Sequence, residues 1–187
     1  MEVVIGVPEE LASLAAGAIE ALLDRKPEAV LGLATGSSPL GIYDELARRH
    51  REGRLSFSRA RAFMLDEYVG LPLAHPQRYR NVIEHEIASR VGFGVGAVLG
   101  PDGLAQDVVA ACAQYEEAIV RAGGVDLQIL GIGTDGHVGF NEPGSSLASR
   151  TRIKTLTEQT RVDNARFFDG DLSQVPHHCL TQGLATI

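Results

Sequence analysis

Cysteine is scarce in this chain of 187 residues. The two cysteines, Cys112 and Cys179, lie far apart, and neither belongs to a CxxC pair. Disulfide-dense scaffolds and cysteine-built zinc sites both need clustered cysteines, so the sequence argues against either. A single domain of this length buries about 70% of its unfolded surface, and it can fold without such cross-links.

Long apolar runs and stretches of positive charge are also missing. No apolar segment approaches the roughly 20 residues of a membrane-spanning helix, and the chain opens without the basic and apolar regions of a secretory signal. Seventeen Lys and Arg against 24 Asp and Glu give a net charge of −7, with no basic stripe suited to nucleic acid. We therefore expect a cytoplasmic protein whose partners are neither nucleic acid nor membrane.

Short apolar runs alternate with segments of helical periodicity along the chain. Strands are predicted at residues 3–7, 29–33, 62–65, 97–99 and 125–130, with a further extended segment at 151–156. Helices are predicted from residue 8 onward and at 39–51, 78–90, 105–121 and 158–168. Because repeated strand–helix–strand units build parallel sheets, residues 1–187 are predicted to form one α/β domain with helices on both faces of a parallel sheet.

Three predicted strands run into polar loops, at residues 34–39, 66–72 and 131–143. Ligands of such sheets bind outside the carboxyl ends of the strands, so we expect these loops to form one site. The first loop holds Thr35, Gly36, Ser37 and Ser38 before a helix, a pattern that suits phosphate. The alternative is a plain helix cap by Ser38, but a cap needs one hydroxyl and this loop has three.

The second loop begins with two adjacent carboxylates, Asp66 and Glu67, directly after an apolar strand. Burying an ionised carboxylate costs free energy unless the group stays solvated or has a functional role, because loss of water raises its pKa. Successive strand residues point to opposite faces, so only one of the two is expected to reach the cleft. A capping acid beside a surface acid is the alternative interpretation.

The third loop contains a G-x-G-x-x-G match at residues 131–136, a pattern found in dinucleotide-binding sites. Such a site requires a helix directly after the glycines to receive the pyrophosphate. The residues that follow are loop-like and include Pro143. We therefore reject a dinucleotide cofactor.

The same loop places Asp135, His137 and Glu142 within eight residues. A carboxylate near a histidine orients the imidazole and holds it protonated, which produces a general acid near neutral pH. A zinc site is a poorer explanation, because one histidine with two acids lacks supporting ligands, and we expect no metal. A purely structural role for His137 is the remaining alternative.

Positive charge is concentrated just after the acidic loop, in an otherwise acidic chain. A solvated helix face accounts for part of this cluster, and a phosphate-binding role would explain its position. Its members are Arg150, Arg152, Lys154, Arg161 and Arg166.

These segments together resemble one enzyme family. The runs LGLATGSSP at 31–39, MLDEYVGLP at 64–72 and, most specifically, DGHVGFNEP at 135–143 resemble the glucosamine-6-phosphate deaminases, and the similarity extends over essentially the whole chain. The resemblance implies a Rossmann-like parallel sheet and no cofactor. It also implies conversion of glucosamine 6-phosphate to fructose 6-phosphate and ammonia.

The resemblance also assigns roles to individual residues. Asp66 is implied to be the base that moves a proton between C2 and C1 of the sugar. His137 is implied to open the pyranose ring, with Asp135 and Glu142 as its charge partners. Substrate phosphate is implied to bind the hydroxyl loop, Thr35, Gly36, Ser37 and Ser38, together with Arg166.

Some members of this family are homo-oligomers of six subunits. N-acetylglucosamine 6-phosphate activates these hexamers by binding at a subunit interface. The positions that match this effector site are Ser145, Ser146, Arg152 and Lys154. Family chains also continue beyond the segment that resembles residues 176–187, and a later loop holds a phosphate-binding lysine. We therefore expect the sheet to be incomplete at the C-terminus, where residues 186–187 look like the start of another strand.

Two other functions suit the same fold. A sugar-phosphate lactonase would need a different set of residues and would not require Asp66. A non-catalytic sugar-phosphate effector module of a transcription regulator would lack the catalytic acids and carry a basic DNA-binding segment. Because Asp66, Asp135, His137 and Glu142 are all present, the deaminase is the preferred hypothesis.

Overall fold

The computed structural model describes residues 2–187. Its strands are β1 (Val30–Leu33), β2 (Arg61–Met64), β3 (Asp66–Tyr68), β4 (Val98–Leu99), β5 (Leu127–Gln128), β6 (Arg152–Thr155) and β7 (His178–Thr181). Its α-helices are α1 (Pro8–Arg25), α2 (Leu40–Arg51), α3 (Tyr79–Ile83), α4 (Ser89–Val91), α5 (Val108–Arg121) and α6 (Glu158–Asn164). Between residues 2 and 187, no helix is both long enough and apolar enough to cross a bilayer.

Four strands form a parallel sheet in the order β4-β2-β1-β5. Strand β1 lies in the middle, where Leu31 pairs with Ala62 of β2 on one side and with Leu127 of β5 on the other. All four residues of β1 are buried, as expected of a strand covered on both faces. The predicted α/β fold with a parallel sheet is therefore confirmed.

The two faces of the sheet carry separate cores. Leu31 and Leu33 of β1 pack in a core that includes residues of α1, α2 and α3. Val30 belongs to the opposite core, with Tyr115 and Ile119 of α5. Because side chains alternate along a strand, one apolar run supplies both layers, and helices cover both faces.

A second, antiparallel sheet in the order β3-β7-β6 was not predicted from the sequence. Only Leu65 separates β2 from β3, so the chain passes from one sheet into the other without a turn. Asp66 pairs with Thr181, and Lys154 pairs with Cys179. Polar residues interrupt both β3 and β7, so neither strand forms an apolar run that would predict it from the sequence.

The predicted strand at residues 3–7 is wrong. These residues form no regular element, and Ile5 is 92% exposed. A strand needs a neighbour for its N–H and C=O groups, and no strand among residues 2–187 pairs with this segment. The predicted strand start at residues 186–187 is also wrong, since the carbonyl of Gly183 accepts both of their N–H groups in a turn.

Several element boundaries also differ from the prediction. Helix α5 begins at Val108 rather than at residue 105, because Asp107 accepts the N–H groups of Val109 (3.1 Å) and Ala110 (2.9 Å) as its cap. Strand β5 is shorter than predicted. The helix predicted at 78–90 is interrupted by a π-helical turn, Glu84–Ala88, between α3 and α4.

Helices α1 and α2 are joined by a buried arginine. Arg49 is 5% exposed, and its guanidinium lies 2.7 Å from both Glu20 and Glu45. Replacing Arg49 with methionine leaves these carboxylates without their buried cation, so we expect the free energy of unfolding to fall by about 3 kcal/mol. Urea denaturation measures this loss.

The matched control for this ion pair is Arg59→Met. Arg59 pairs with Glu28 at 3.3 Å, and both side chains are largely exposed. Exposed pairs contribute little, so the control should lose less than about 0.5 kcal/mol. Equal losses in the two variants would contradict a special role for the buried pair.

Candidate active site

A cavity of about 690 Å³ opens beyond the carboxyl ends of β1, β2 and β5. All three predicted loops reach it, through residues 34–38, through Asp66, and through residues between 131 and 140. Helices α3 and α6 contribute the remaining walls. The cavity therefore lies where ligands of parallel α/β sheets are expected.

The hydroxyl loop after β1 is held rigidly at one end of the cavity. The hydroxyl of Tyr43 donates to the carbonyl oxygen of Ala34 (2.7 Å) and accepts from its N–H (3.1 Å). Gly36 has a φ of +96°, which favours glycine. Helix α2 begins at Leu40 without a side-chain cap, so Ser38 is not the cap that the alternative interpretation required.

Asp66 lies at the start of β3 and lines the cavity, with only 6% of its surface exposed. Burial raises the pKa of this carboxyl to about 8, and the neighbouring charge of Glu67 adds to the shift. A carboxylate with such a pKa is an effective base near neutral pH. Its orientation matches the alternation expected from the sequence.

Glu67 points away from the cavity and is 1% exposed. Its carboxylate accepts three backbone N–H groups at 2.9 Å, from Tyr68, Tyr79 and Arg80. The alternative interpretation of a capping acid thus describes Glu67, although the helix that it caps is distant in sequence. Only one of the two adjacent acids reaches the cavity.

His137 also lines the cavity, in the loop after β5. Its Nδ1 lies 2.7 Å from Oδ1 of Asp135, and its backbone N–H donates to the same oxygen at 3.1 Å. These hydrogen bonds, the backbone one above all, lower the pKa of Asp135. Gly133 is required here, because a Cβ atom would lie 2.2 Å from the imidazole ring.

Glu142 is the second carboxylate beside His137. Its Oε2 lies 3.8 Å from Nδ1 and, among residues 2–187, meets no hydrogen-bond donor. Oε1 accepts the hydroxyl of Thr160 at 2.7 Å, which ties this loop to α6. The structure therefore brings together all three residues of the predicted acid–histidine cluster.

The same three side chains place one donor atom each within 4.8 Å of one another, a spacing that would also suit a cation. Nδ1 of His137, however, already has a hydrogen-bond partner in Asp135. One imidazole and two carboxylates lack the further histidine or cysteine ligands that zinc sites use. The geometry suits proton transfer better than metal binding.

Only part of the predicted cationic cluster faces the cavity. Arg166 lines it, with its guanidinium 4.8 Å from the centre of the Phe167 ring. Arg150 instead pairs with Glu116, and Arg161 donates to the carbonyl oxygens of Leu172 and Val175. These two arginines hold the structure together, so the suggestion that the cluster as a whole binds phosphate is wrong.

The residues that match the family's effector site do not line the cavity. Arg152 and Lys154 alternate along β6 and therefore share one face of the second sheet. The Ser145 hydroxyl is buried, and among residues 2–187 it has no hydrogen-bond partner. The hydroxyl of Ser146 accepts the N–H of Ala148 at 3.2 Å.

Several cavity residues were not identified from the sequence. Tyr79 of α3 and Phe140 lie with nearly parallel rings, 6.2 Å between centres. His85 lines the cavity from the π-helical turn, and Asp163 and Asn164 line it from α6. Apolar periodicity predicts the buried face of a helix, but it does not show which polar face meets a cavity.

The G-x-G-x-x-G match does not open a helix. Residues 134–136 form a turn, and an isolated bridge between Val138 and Asn141 follows. The rejection of a dinucleotide site on this motif therefore rests on the observed loop as well as on the sequence.

The pKa of Asp66 has a consequence for stability. Its ordinary value is 3.8, against about 8 in the folded protein, so the folded state binds more protons between these pH values. The contribution of Asp66 to the free energy of unfolding is fully present below about pH 4 and is lost as the pH rises to about 8. Asp66→Asn removes this titration, so its free energy of unfolding should rise relative to wild type across that window.

The slope of that rise is at most about 1.4 kcal/mol per pH unit. Urea denaturation of both proteins at about pH 5 and about pH 8 measures it. A difference that stays constant between the two conditions would contradict the raised pKa.

Comparison with known proteins agrees with these observations. The model of a family described as glucosamine-6-phosphate isomerases and 6-phosphogluconolactonases matches residues 6–162. The glucosamine-6-phosphate deaminase of Beutenbergia cavernae is 73% identical over 189 residues, and that of Mycolicibacterium smegmatis is 72% identical over 188. Each alignment covers 100% of this chain and 72% of the relative.

Solved structures give the same result. A structure described as a monomeric glucosamine-6-phosphate deaminase superposes with a TM-score of 0.96 at 41% identity, covering 100% of this chain and 78% of the other. A 6-phosphogluconolactonase from Thermotoga maritima has a TM-score of 0.72 at 24% identity, covering 98% and 76%, and shares the fold. These matches confirm the resemblance to glucosamine-6-phosphate deaminases, and the chain belongs to the family of glucosamine-6-phosphate isomerases and 6-phosphogluconolactonases.

Proposed function

We propose that the protein converts glucosamine 6-phosphate and water to fructose 6-phosphate and ammonia. The observation that carries this proposal is the pairing of two groups in one cavity. Asp66 supplies a buried carboxyl with a raised pKa, and His137 supplies an imidazole beside two carboxylates. Aldose–ketose isomerisation needs such a base, and ring opening needs such an acid.

The first step opens the pyranose ring. The Nδ1–H group of His137 donates a hydrogen bond to Asp135. Nε2 is therefore the ring atom that exchanges protons with the sugar. His137 gives a proton from Nε2 to the ring oxygen as the C1–O5 bond breaks, and the C1 hydroxyl then returns a proton to Nε2, which leaves the aldehyde. Asp135 and Glu142 stabilise the charged imidazole during this transfer.

The second step moves the double bond. Asp66 removes the proton from C2, and the C1 oxygen takes a proton from the substrate's ammonium group as the enolamine forms. Asp66 then returns a proton to C1, which leaves an imine at C2. Water adds to C2, and the C–N bond breaks to release ammonia and the ketone of fructose 6-phosphate. The protein acts in this step as a hydrolase of a C–N bond.

We expect the phosphate group of the substrate to bind at the hydroxyl loop. Thr35, Ser37 and Ser38 line the cavity beside Gly36, and no side-chain cap on α2 occupies their hydroxyls. Arg166 supplies a cation at the same cavity. Local donors of this kind are necessary, because the net charge of −7 repels a phosphorylated ligand.

We further propose a place in amino-sugar metabolism, in the catabolism of N-acetylglucosamine. We also place the reaction in the cytoplasm, because a sugar phosphate carries negative charge and does not cross a bilayer unaided. N-acetylglucosamine 6-phosphate remains the candidate effector at Ser145, Ser146, Arg152 and Lys154. That site would require a homo-oligomer, whereas the similar solved deaminase is described as monomeric.

Side-by-side assays on two substrates test this proposal. We expect ammonia release from glucosamine 6-phosphate, and hydrolysis of 6-phosphogluconolactone at no more than about one-hundredth of that rate. The expectation follows from Asp66, which isomerisation needs and lactone hydrolysis does not. Faster turnover of the lactone would favour the lactonase over the deaminase, and binding of both ligands without turnover would indicate an effector module.

A further inference from the structure

We propose that Glu67 is a positioning residue that holds the α3 wall of the cavity beside Asp66 and keeps a second carboxylate next to that group. This proposal rests on the proposed function, because it gives Asp66 the role of the base. Glu67 itself does not line the cavity. It acts through its neighbours on β3 and α3.

The carboxylate of Glu67 joins two elements. Oε1 accepts the N–H groups of Tyr68 and Tyr79, and Oε2 accepts that of Arg80. All three partners are donors, so the ionised carboxylate is the form that satisfies them. The helical segment that starts with α3 has no side-chain cap from its own N-cap residue, and Glu67 fills that role from the neighbouring strand.

This cap fixes a wall of the cavity. The segment from α3 through the π-helical turn presents Tyr79, Asn81, Val82, His85 and Glu86 to the cavity. The Tyr79 ring also lies 4.6 Å from the ring of Tyr68 on β3. Since Asp66 and Glu67 are adjacent on one short strand, the hold of Glu67 on α3 sets the distance between the base and this wall.

Glu67 also brings a negative charge next to the base when its carboxyl is ionised. Burial raises the pKa of Glu67, whereas its three backbone hydrogen bonds and Arg78 oppose that shift. Arg78 partly offsets that charge, with its Nε 3.9 Å from Oε2 of Glu67. Burial raises the pKa of the tyrosine and cysteine groups around Asp66, so those groups stay neutral near pH 7. The titratable and charged groups around Asp66 are Glu67, Tyr68, Cys179 on β7, Tyr79 on α3, Tyr115 on α5 and, through Glu67, Arg78; His137 lines the same cavity.

The test is the titration of Asp66 in the Glu67→Gln variant. The carboxyl carbons of aspartate are labelled with ¹³C, and the Asp66 signal is assigned by its loss in Asp66→Asn. Glutamine keeps the size of the side chain but removes its charge, so the midpoint should move to lower pH by about one unit. The ascending limb of the pH profile of kcat/KM for glucosamine 6-phosphate should also move to lower pH. The displaced cavity wall should lower kcat about tenfold.

Two further variants separate positioning from mere structural support. Arg78→Gln keeps all three N–H bonds of Glu67 and removes the offsetting cation, so the midpoint should move to higher pH. This variant carries the test alone if Glu67→Gln does not fold. Asp107→Asn changes a carboxylate that caps α5, and it should leave the Asp66 midpoint where it is in the wild type.

Opposite shifts in the Glu67 and Arg78 variants support the proposal. An unmoved Asp66 midpoint in both variants, or equal shifts in the same direction, would overturn it. The NMR titration needs no turnover, so it is independent of the assigned reaction. Opposite shifts in a wild-type protein that releases no ammonia would preserve the electrostatic role of Glu67 and refute the proposed function.

Discussion

Asp66→Asn is expected to lower kcat for ammonia release by about 10²- to 10⁴-fold, the range that a general base contributes. Asparagine matches the shape of the protonated carboxyl but accepts no proton from C2. Because the side chain keeps its size in a site only 6% exposed, KM should change by a few-fold at most. Steady-state assays of ammonia from glucosamine 6-phosphate measure both constants.

The matched control for this variant is Asp163→Asn, which alters another carboxylate of the same cavity. Asp163 accepts a hydrogen bond from Gln159 at 2.8 Å and has no assigned part in proton transfer. We expect its kcat to stay within about tenfold of wild type. Similar losses in the two variants would show that any cavity carboxylate matters equally, and Asp66 would lose its assigned role.

His137→Gln should produce the second large effect, a loss of about 10²- to 10⁴-fold in kcat with the ordinary cyclic substrate. Glutamine preserves polarity and approximate length but cannot exchange a proton with the ring oxygen. An open-chain analogue that lacks the ring-closing hydroxyl groups bypasses this step. With that analogue the variant should approach the wild-type rate.

His85→Gln serves as the control, because His85 lines the same cavity but has no role in ring opening. Its turnover of the cyclic substrate should stay close to that of wild type. If His137→Gln loses equal activity on the cyclic substrate and the open-chain analogue, His137 must act after the ring has opened.

Much of the first sheet could be predicted from the sequence. The apolar runs at β1 and β2 are buried on both faces, and such runs are visible without any knowledge of contacts. The start of α1 at Pro8 was also predictable, since proline and Glu9 suit the first turn of a helix. In contrast, residues 3–7 have an apolar run of the same kind but form no strand, because a strand also needs a neighbouring strand with which its backbone can pair.

The pairing of the second sheet and the cavity wall formed by α3 could not be predicted in this way, although strand β6 lies within the extended segment predicted at 151–156. Strand β3 follows β2 after one residue, and its pairing with β7 joins positions more than a hundred residues apart. The helical wall that carries Tyr79 is held by Glu67 through backbone groups, which leave no trace in the sequence. Local patterns thus identified Asp66 and His137, whereas the wall that faces them depends on tertiary contacts.

The role of Asp66 as the base can be tested by following the hydrogen at C2 of the substrate. Glucosamine 6-phosphate that carries deuterium at C2 is incubated with wild type and with Asp66→Asn, while ²H NMR and an ammonia assay run in parallel. We expect wild type to lose the C2 deuterium in step with ammonia release and to form fructose 6-phosphate, while the variant retains the deuterium. Ammonia release with deuterium still at C2, or loss of the deuterium at the wild-type rate in Asp66→Asn, would contradict that role.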